Sequence, residues 1–160
     1  MTRILVTTDG SPLGHLALDH AHPLADALHA DVVALYVQVD PALALAGEFA
    51  YVPPADPVAL TAEADAMGAE LRARCPGARV RVEDAHGLGV PQVILRAATA
   101  EHVDLIVMST HGRSGLGRML LGSVAEGVLH ASPVPVLLVR AGQVPAPWSS
   151  EPVGVGGSVC

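Results

Sequence analysis

The 160-residue sequence is poor in aromatics: one Phe, one Trp and two Tyr stand in a chain that is 51% hydrophobic. Its core must therefore be filled by Ala, Val, Leu and Ile, and such interiors suit helices packed closely on a parallel sheet. Cysteine is equally scarce. Cys75 and Cys160 make neither a metal set nor a disulfide framework, the pattern of a reduced, cytoplasmic chain. No run approaches the ~20 apolar residues of a membrane span, and the N-terminus carries no signal-peptide pattern, so a soluble protein away from membranes is expected. The formal charge of −7 leaves no basic face for general nucleic-acid binding. A Gly-x4-Gly-Lys-[Ser/Thr] loop is also missing, which excludes a Walker lysine as phosphate ligand. The length predicts one domain, burying roughly 70% of its unfolded surface.

What is present alternates strand and helix signals. Residues 4–8 form a short apolar run bounded by Asp9-Gly10-Ser11-Pro12, read as a buried strand followed by a helix with Ser11 as N-cap and Pro12 at its first position. Leu13, Leu16, Ala17, Ala21, Leu24, Ala25 and Leu28 then share one helical face, interrupted by Pro23, which predicts a kink. His15, Asp19, His22, Asp26 and His29 share the other. A line of side chains along a helix does not converge on one ion, so this stripe is expected to face water.

Residues 31–37 predict a second buried strand, and residues 40–57, with four prolines, a long loop. Asp56-Pro57 starts a helix whose inner face is Leu60, Ala64, Met67 and Leu71, ended by Pro76-Gly77. Residues 79–83 alternate charged and apolar side chains, as a half-exposed edge strand does. Gly87-Leu-Gly-Val-Pro-Gln92 begins like a dinucleotide fingerprint but carries Gln92 where a small residue is needed, and reads as the plain start of a helix. Residues 103–108 predict the fourth strand, 124–130 a helix and 133–140 the fifth strand. The order predicts a doubly wound parallel α/β sheet. The domain is expected to span residues 1–141, followed by a Gly/Pro-rich disordered tail over 142–160.

Chemistry concentrates after the fourth strand. The apolar run ends at Met108 in a segment crowded with Gly, Ser, Thr and Arg, and a helix pattern resumes at Gly122-Ser123. Small residues let backbone approach a ligand, and the N–H groups of a helix start favour an anion, so this junction reads as a phosphate cradle.

Three stretches, residues 4–11, residues 104–115, and residues 120–126 with 133–139, resemble the universal stress protein family. The nucleotide-binding branch of that family carries Gly-x2-Gly-x9-Gly-[Ser/Thr]; here Ser109, Gly112, Gly122 and Ser123 occupy those positions, with Ser109 replacing the first Gly. The resemblance implies a three-layer fold with a five-stranded parallel sheet of order 3-2-1-4-5 and helices on both faces. It places a ligand crevice at the switch point between the first and fourth strands. It implies ATP, with Mg²⁺ or Mn²⁺ near Asp9. Thr8 and Asp9 would border adenine and ribose and Val37 would touch adenine. Met108, Ser109, His111 and Gly112 would line the ribose and phosphate path. Gly122, Ser123, Val124 and Ala125 would hold phosphates. Arg113 and Arg118, by position alone, could offset phosphate charge.

Plainer roles stay open at this point: Asp9 as a brace of the first helical turn, Gly122-Ser123 as an ordinary cap, Val37 as core, His111 as structural. Self-association is expected through the strand around Val136 to Val139, apolar yet at a sheet edge, where unpaired backbone invites a second copy. The function implied is a homodimeric, ATP-binding stress-response protein. A slow ATP hydrolase and a dimeric adaptor that has lost nucleotide binding are the alternatives; against the first, no nucleophile, base and orienting group assemble into a set, and the second is kept open by Ser109.

Overall fold

The computed structural model describes residues 1–40, 55–110 and 121–145. Its elements follow in the order β1 (Arg3–Thr8), α1 (Pro12–Leu28), β2 (Asp31–Gln38), α2 (Pro57–Arg74), β3 (Arg79–Asp84), α3 (Val90–Ala100), β4 (Leu105–Ser109), α4 (Ser123–Ala131) and β5 (Val136–Val139). The five strands form one sheet of order β3-β2-β1-β4-β5, every neighbouring pair parallel. The direction of winding reverses between β1 and β4, as expected.

Strand side chains alternate between the two faces. Ile4, Val6, Ala34, Tyr36 and Val107 pack beneath α1 and α2, meeting Ala17, Leu18, Ala21, Leu24 and Leu71. Leu5, Leu35, Val37, Ile106 and Met108 pack on the opposite face against Val93, Ile94 and Ala97 of α3 and Ala125 and Val128 of α4. Because both faces are covered, β1 and β2 read as continuous apolar runs.

Helix starts follow their sequence signals. The Gly14 N–H donates to the Ser11 hydroxyl at 2.9 Å, and the Val58 N–H to Asp56 Oδ1 at 3.0 Å. Pro23 lies inside α1, which runs on through it to Leu28. The expected water-facing stripe of α1 is corrected in part: His15 is buried, with Nε2 3.5 Å from Glu70 Oε1 and no hydrogen bond. The reason is α2, which lies over that side of α1 and contributes Glu70. Conversely Leu28, assigned to the inner face, is 45% exposed at the end of the helix. The fifth strand is shorter than residues 133–140 because Pro133 and Pro135 have no N–H to donate; pairing begins where the Ile106 N–H reaches the Pro135 carbonyl at 3.0 Å. The long loop expected over residues 40–57 falls largely outside the described residues, as does the tail beyond residue 145.

The N-terminal end of the sheet is closed by polar ties. The Arg3 N–H donates to Asp104 Oδ2 at 2.8 Å, and the Arg3 guanidinium to the Glu101 carbonyl. The buried Glu101 carboxylate accepts from Arg81 at 2.8 Å and Arg79 at 3.2 Å. The opposite end, where the strands finish, holds the cleft.

Candidate functional site

A cleft of about 350 Å³ opens at the C-terminal ends of the strands, between β1 and β4. This lies toward the small end of the roughly 300–1,000 Å³ typical of small-molecule sites. Register brings the strand ends level: Thr8 pairs with Tyr36, Thr7 with Met108, and Ser109 with Val139. Of the residues singled out in the sequence, Thr8, Asp9, Val37, Met108, Ser109, Gly122, Ser123, Val124 and Ala125 line the cleft. His111, Gly112, Arg113 and Arg118 lie outside the described residues.

One wall is apolar. Val37 and Val39 at the end of β2, Val90 and Ile94 at the start of α3, and Met108 of β4 form a slot suited to a flat, uncharged group. Val37 and Met108 are also buried core residues of the α3–α4 side, so their packing role stands whatever binds. Sequence reading missed Thr7, Tyr36, Val39, Val90, Ile94 and Thr110. The signal for Val90 and Ile94 was present, since the first turn of a helix following a strand in a parallel sheet sits at the ligand end. In the Gly87–Gly89 stretch, Gly89 is the N-cap of α3, the helix start read from the sequence, and a Cβ there would meet Gln92 of its own first turn.

The other wall is polar. After Ser109, Thr110 is tied at both backbone groups: its N–H donates to the Val139 carbonyl, and its carbonyl accepts the Gly122 N–H, each at 2.8 Å. This second bond brings the start of α4 back beside the end of β4. Gly122 is the N-cap of α4, with φ −75° and ψ 153° and no side-chain cap. The first N–H groups of any helix lack intrahelical partners, and the aligned peptide dipoles make that end positive. Those of Ser123, Val124 and Ala125 stand at the cleft.

Ser109, which takes the place of a glycine, sits at the end of β4 with ordinary backbone. Positive φ among the described non-glycine residues occurs at His29, His86 and His102 only. Its side chain therefore adds a hydroxyl to the cleft without backbone strain.

Asp9 is the only formally charged side chain among the described residues lining the cleft. Its Oδ1 accepts from the Ser11 N–H at 3.0 Å and the Ser11 hydroxyl at 2.6 Å, so it does brace the first turn of α1. Thr8 Oγ1 accepts from the Gly10 N–H at 3.1 Å. The brace and the cleft position coexist in one residue. Nothing in the geometry forces a choice between them.

The universal stress protein family model matches residues 1–140. A universal stress protein of Methanocaldococcus jannaschii is 32% identical over 139 residues, 86% of this chain and 81% of that one. A longer relative from Mycobacterium tuberculosis is 34% identical over 144 residues, and the chain spans 45% of its length. Universal stress protein UspA from Lactobacillus plantarum superimposes with a TM-score of 0.70 at 29% identity, covering 87% of this chain and 97% of that one. A universal stress protein solved in complex with cAMP shares the fold at a TM-score of 0.62 and 24% identity, covering 87% and 96%. Fold, strand order and sequence agree, and the chain belongs to the universal stress protein family.

Proposed function

We propose that this chain is a nucleotide-binding module that takes ATP in the cleft between β1 and β4. The observation that carries this reading is the convergence on one cleft of Asp9, an apolar slot and the N-terminus of α4, which has no side-chain cap. An adenine suits the slot between Val37, Val90, Ile94 and Met108. Asp9 suits the ribose. Phosphates suit the Gly122–Ala125 turn, where backbone N–H groups, the Ser123 hydroxyl and the helix dipole all favour negative charge.

The sequence contains no lysine, so a permanently charged side-chain cation for the phosphates is an arginine, and Arg113 and Arg118 stand between the two halves of the motif. A divalent ion fits the donors present. Asp9 and the hydroxyls of Thr8, Ser109 and Ser123 are hard oxygen donors, and Mg²⁺ commonly uses one carboxylate together with substrate phosphates and water. Among the described residues no three His, Cys, Asp or Glu side chains cluster to hold a metal by themselves. The ion would therefore arrive with the nucleotide.

Self-association through β5 belongs to the same reading. Ile106 N–H to the Pro135 carbonyl and Thr110 N–H to the Val139 carbonyl fix which backbone groups of β5 face β4. In a parallel ladder the alternate groups, on Val136 and Leu138, point to the open edge. A second copy pairing there would satisfy them. A homodimer is the reading.

The test is to denature purified protein and identify released small molecules, then titrate emptied protein with ATP, ADP and cAMP by calorimetry, with and without Mg²⁺. ATP binding that Gly122→Val abolishes is the expected result, because the branched side chain would stand in the phosphate path. No released nucleotide and no heat at millimolar ATP would overturn the reading in favour of an adaptor. Turnover many times faster than nucleotide exchange would make it an enzyme.

A further inference from the structure

Asp9 follows β1 directly, on the bend that enters α1, a place where a side chain ordinarily has several rotamers to choose from. Here its surroundings leave little choice. Ser11 offers two donors to a single carboxylate oxygen, its N–H at 3.0 Å and its hydroxyl at 2.6 Å. The hydroxyl has only one proton. It can spend that proton on Asp9 because its remaining demand, as N-cap, is to accept: the Gly14 N–H donates to the same oxygen at 2.9 Å. Ser11 is thus a relay, accepting from the helix and donating to the carboxylate.

Behind Asp9 stands Gly14. A Cβ on Gly14 would lie inside van der Waals contact of Asp9 Oδ1, 2.7 Å from Thr8 Oγ1 and 3.1 Å from the Asp9 backbone nitrogen. Gly14 is therefore the surface against which the carboxylate rests, and any side chain there would push it away. Its φ is not the reason; close approach is.

We propose that Ser11 is a positioning residue of the nucleotide site, holding the Asp9 carboxylate by Oδ1 against the bare backbone of Gly14 so that the side chain keeps one orientation at the cleft it lines. The inference rests on the assignment of a ligand to that cleft, and goes beyond it in giving Ser11 a role apart from helix capping. Ser11 does not line the cleft; its effect on a ligand passes through Asp9. A hydrogen-bond acceptor fixed in advance spares the ligand the cost of ordering it, which is where the affinity gain comes from.

Capping and positioning can be separated by choice of substitution. Glycine is nearly as good an N-cap as serine, so Ser11→Gly keeps the backbone N–H to Asp9 and removes the hydroxyl with its bond to the carboxylate, for a fall in melting temperature of roughly 3–12 °C that comes from that bond and not from the cap. Ser11→Thr keeps the hydroxyl. In ATP titrations, Ser11→Gly is expected to bind roughly three- to tenfold more weakly, the inverse of the share of rotamers left in the competent orientation, with Ser11→Thr within about twofold of wild type. In an Asp9→Asn background the Ser11→Gly penalty should fall below about twofold, because the partner it acts through is gone. A penalty unchanged in that background, or absent in the first, overturns the proposal.

A ligand-free measurement keeps the two readings distinguishable. Three-bond couplings to the Asp9 carboxyl carbon report its χ1 populations, and one rotamer is expected in wild type and Ser11→Thr, with averaged values in Ser11→Gly. Equal couplings in all three overturn the positioning role whatever binds. Altered couplings in a protein that binds no nucleotide would uphold the role and remove the ligand.

Discussion

Replacing Gly14 with alanine tests the close approach of α1 to the end of β1. In an ordinary helix interior this change stabilises by about 0.5–1 kcal/mol, since alanine loses less backbone entropy than glycine. At Gly14 the new methyl meets Asp9 Oδ1 and Thr8 Oγ1, and both side chains must rotate or α1 must shift. Rotation breaks the two bonds from Ser11 to Asp9 and the Gly10 N–H bond to Thr8. Hydrogen bonds to a charged acceptor are worth about 1.5–3 kcal/mol each and a neutral one about 1 kcal/mol. Partial relaxation recovers some of this, and the helix gain offsets a further part, leaving a net loss of about 2–4 kcal/mol. For a chain of this length that is a fall in melting temperature of roughly 5–15 °C. Urea denaturation measures it directly, with an unchanged m-value confirming that the native fold persists. Nucleotide affinity should fall with it, since the carboxylate is displaced. A Gly14→Ala variant as stable as wild type, or more so, would refute the steric argument.

Two further outcomes follow from other parts of the molecule. Cys75 is buried, 1% exposed, and its thiol is pushed above the usual 9.0 by burial and then by Asp19, against the pull of Arg74. It should resist iodoacetamide at pH 8 in the folded protein and react only at the rate of opening, which mass spectrometry of the Cys75 peptide would follow. Because the native state holds this proton more tightly, the contribution is intact below pH 9 and declines as pH rises through the folded value, so alkaline unfolding should shift upward in Cys75→Ala. At the open edge, Leu138→Pro removes an outward N–H and leaves the β4-facing groups in place; sedimentation should show monomers where wild type shows dimers. A dimer that survives Leu138→Pro would place the interface elsewhere.

The succession of strands and helices was legible because its signals are local, whereas the order of the strands within the sheet came from the family resemblance. Apolar runs of β length ended by Asp9-Gly10-Ser11-Pro12 or Asp56-Pro57 mark where a strand stops and a helix begins, and alternation with helices leaves a parallel sheet as the economical arrangement. The nine cleft residues named from sequence came from the family motif and from the ends of β1, β2 and β4. What sequence reading missed depends on contacts between elements. His15 belongs to the polar stripe of α1 by period alone, yet Glu70 of α2 stands beside it and closes it from water. Gly14 reads as a weak helix residue until the end of β1 is seen against it. Whether Ser109 can stand in for a glycine is likewise a question of backbone conformation, which no residue type settles by itself.

Buried hydroxyls support the proposed reading of the cleft over a gap left by packing. Thr7, Thr8 and Thr110 are 6%, 5% and 4% exposed, all at the switch point where β1 and β4 finish. Burying a hydroxyl is unfavourable unless it is hydrogen-bonded, and aliphatic side chains would fill the same space more stably. The edge strand β5, by contrast, stays apolar through Val139 and turns polar only at the exposed Arg140. Of the other buried polar groups, Glu101 joins Arg79 and Arg81, Gln38 holds the Leu60 carbonyl, His20 lies 3.4 Å from the Gln143 carbonyl, and His15 stands beside Glu70. Only the threonines at the switch point accompany a carboxylate held in place and a helix N-terminus. Hydroxyl burial concentrated where two crossovers diverge, beside a braced carboxylate and a helix N-terminus, supports the proposed binding cleft over an ordinary seam between layers.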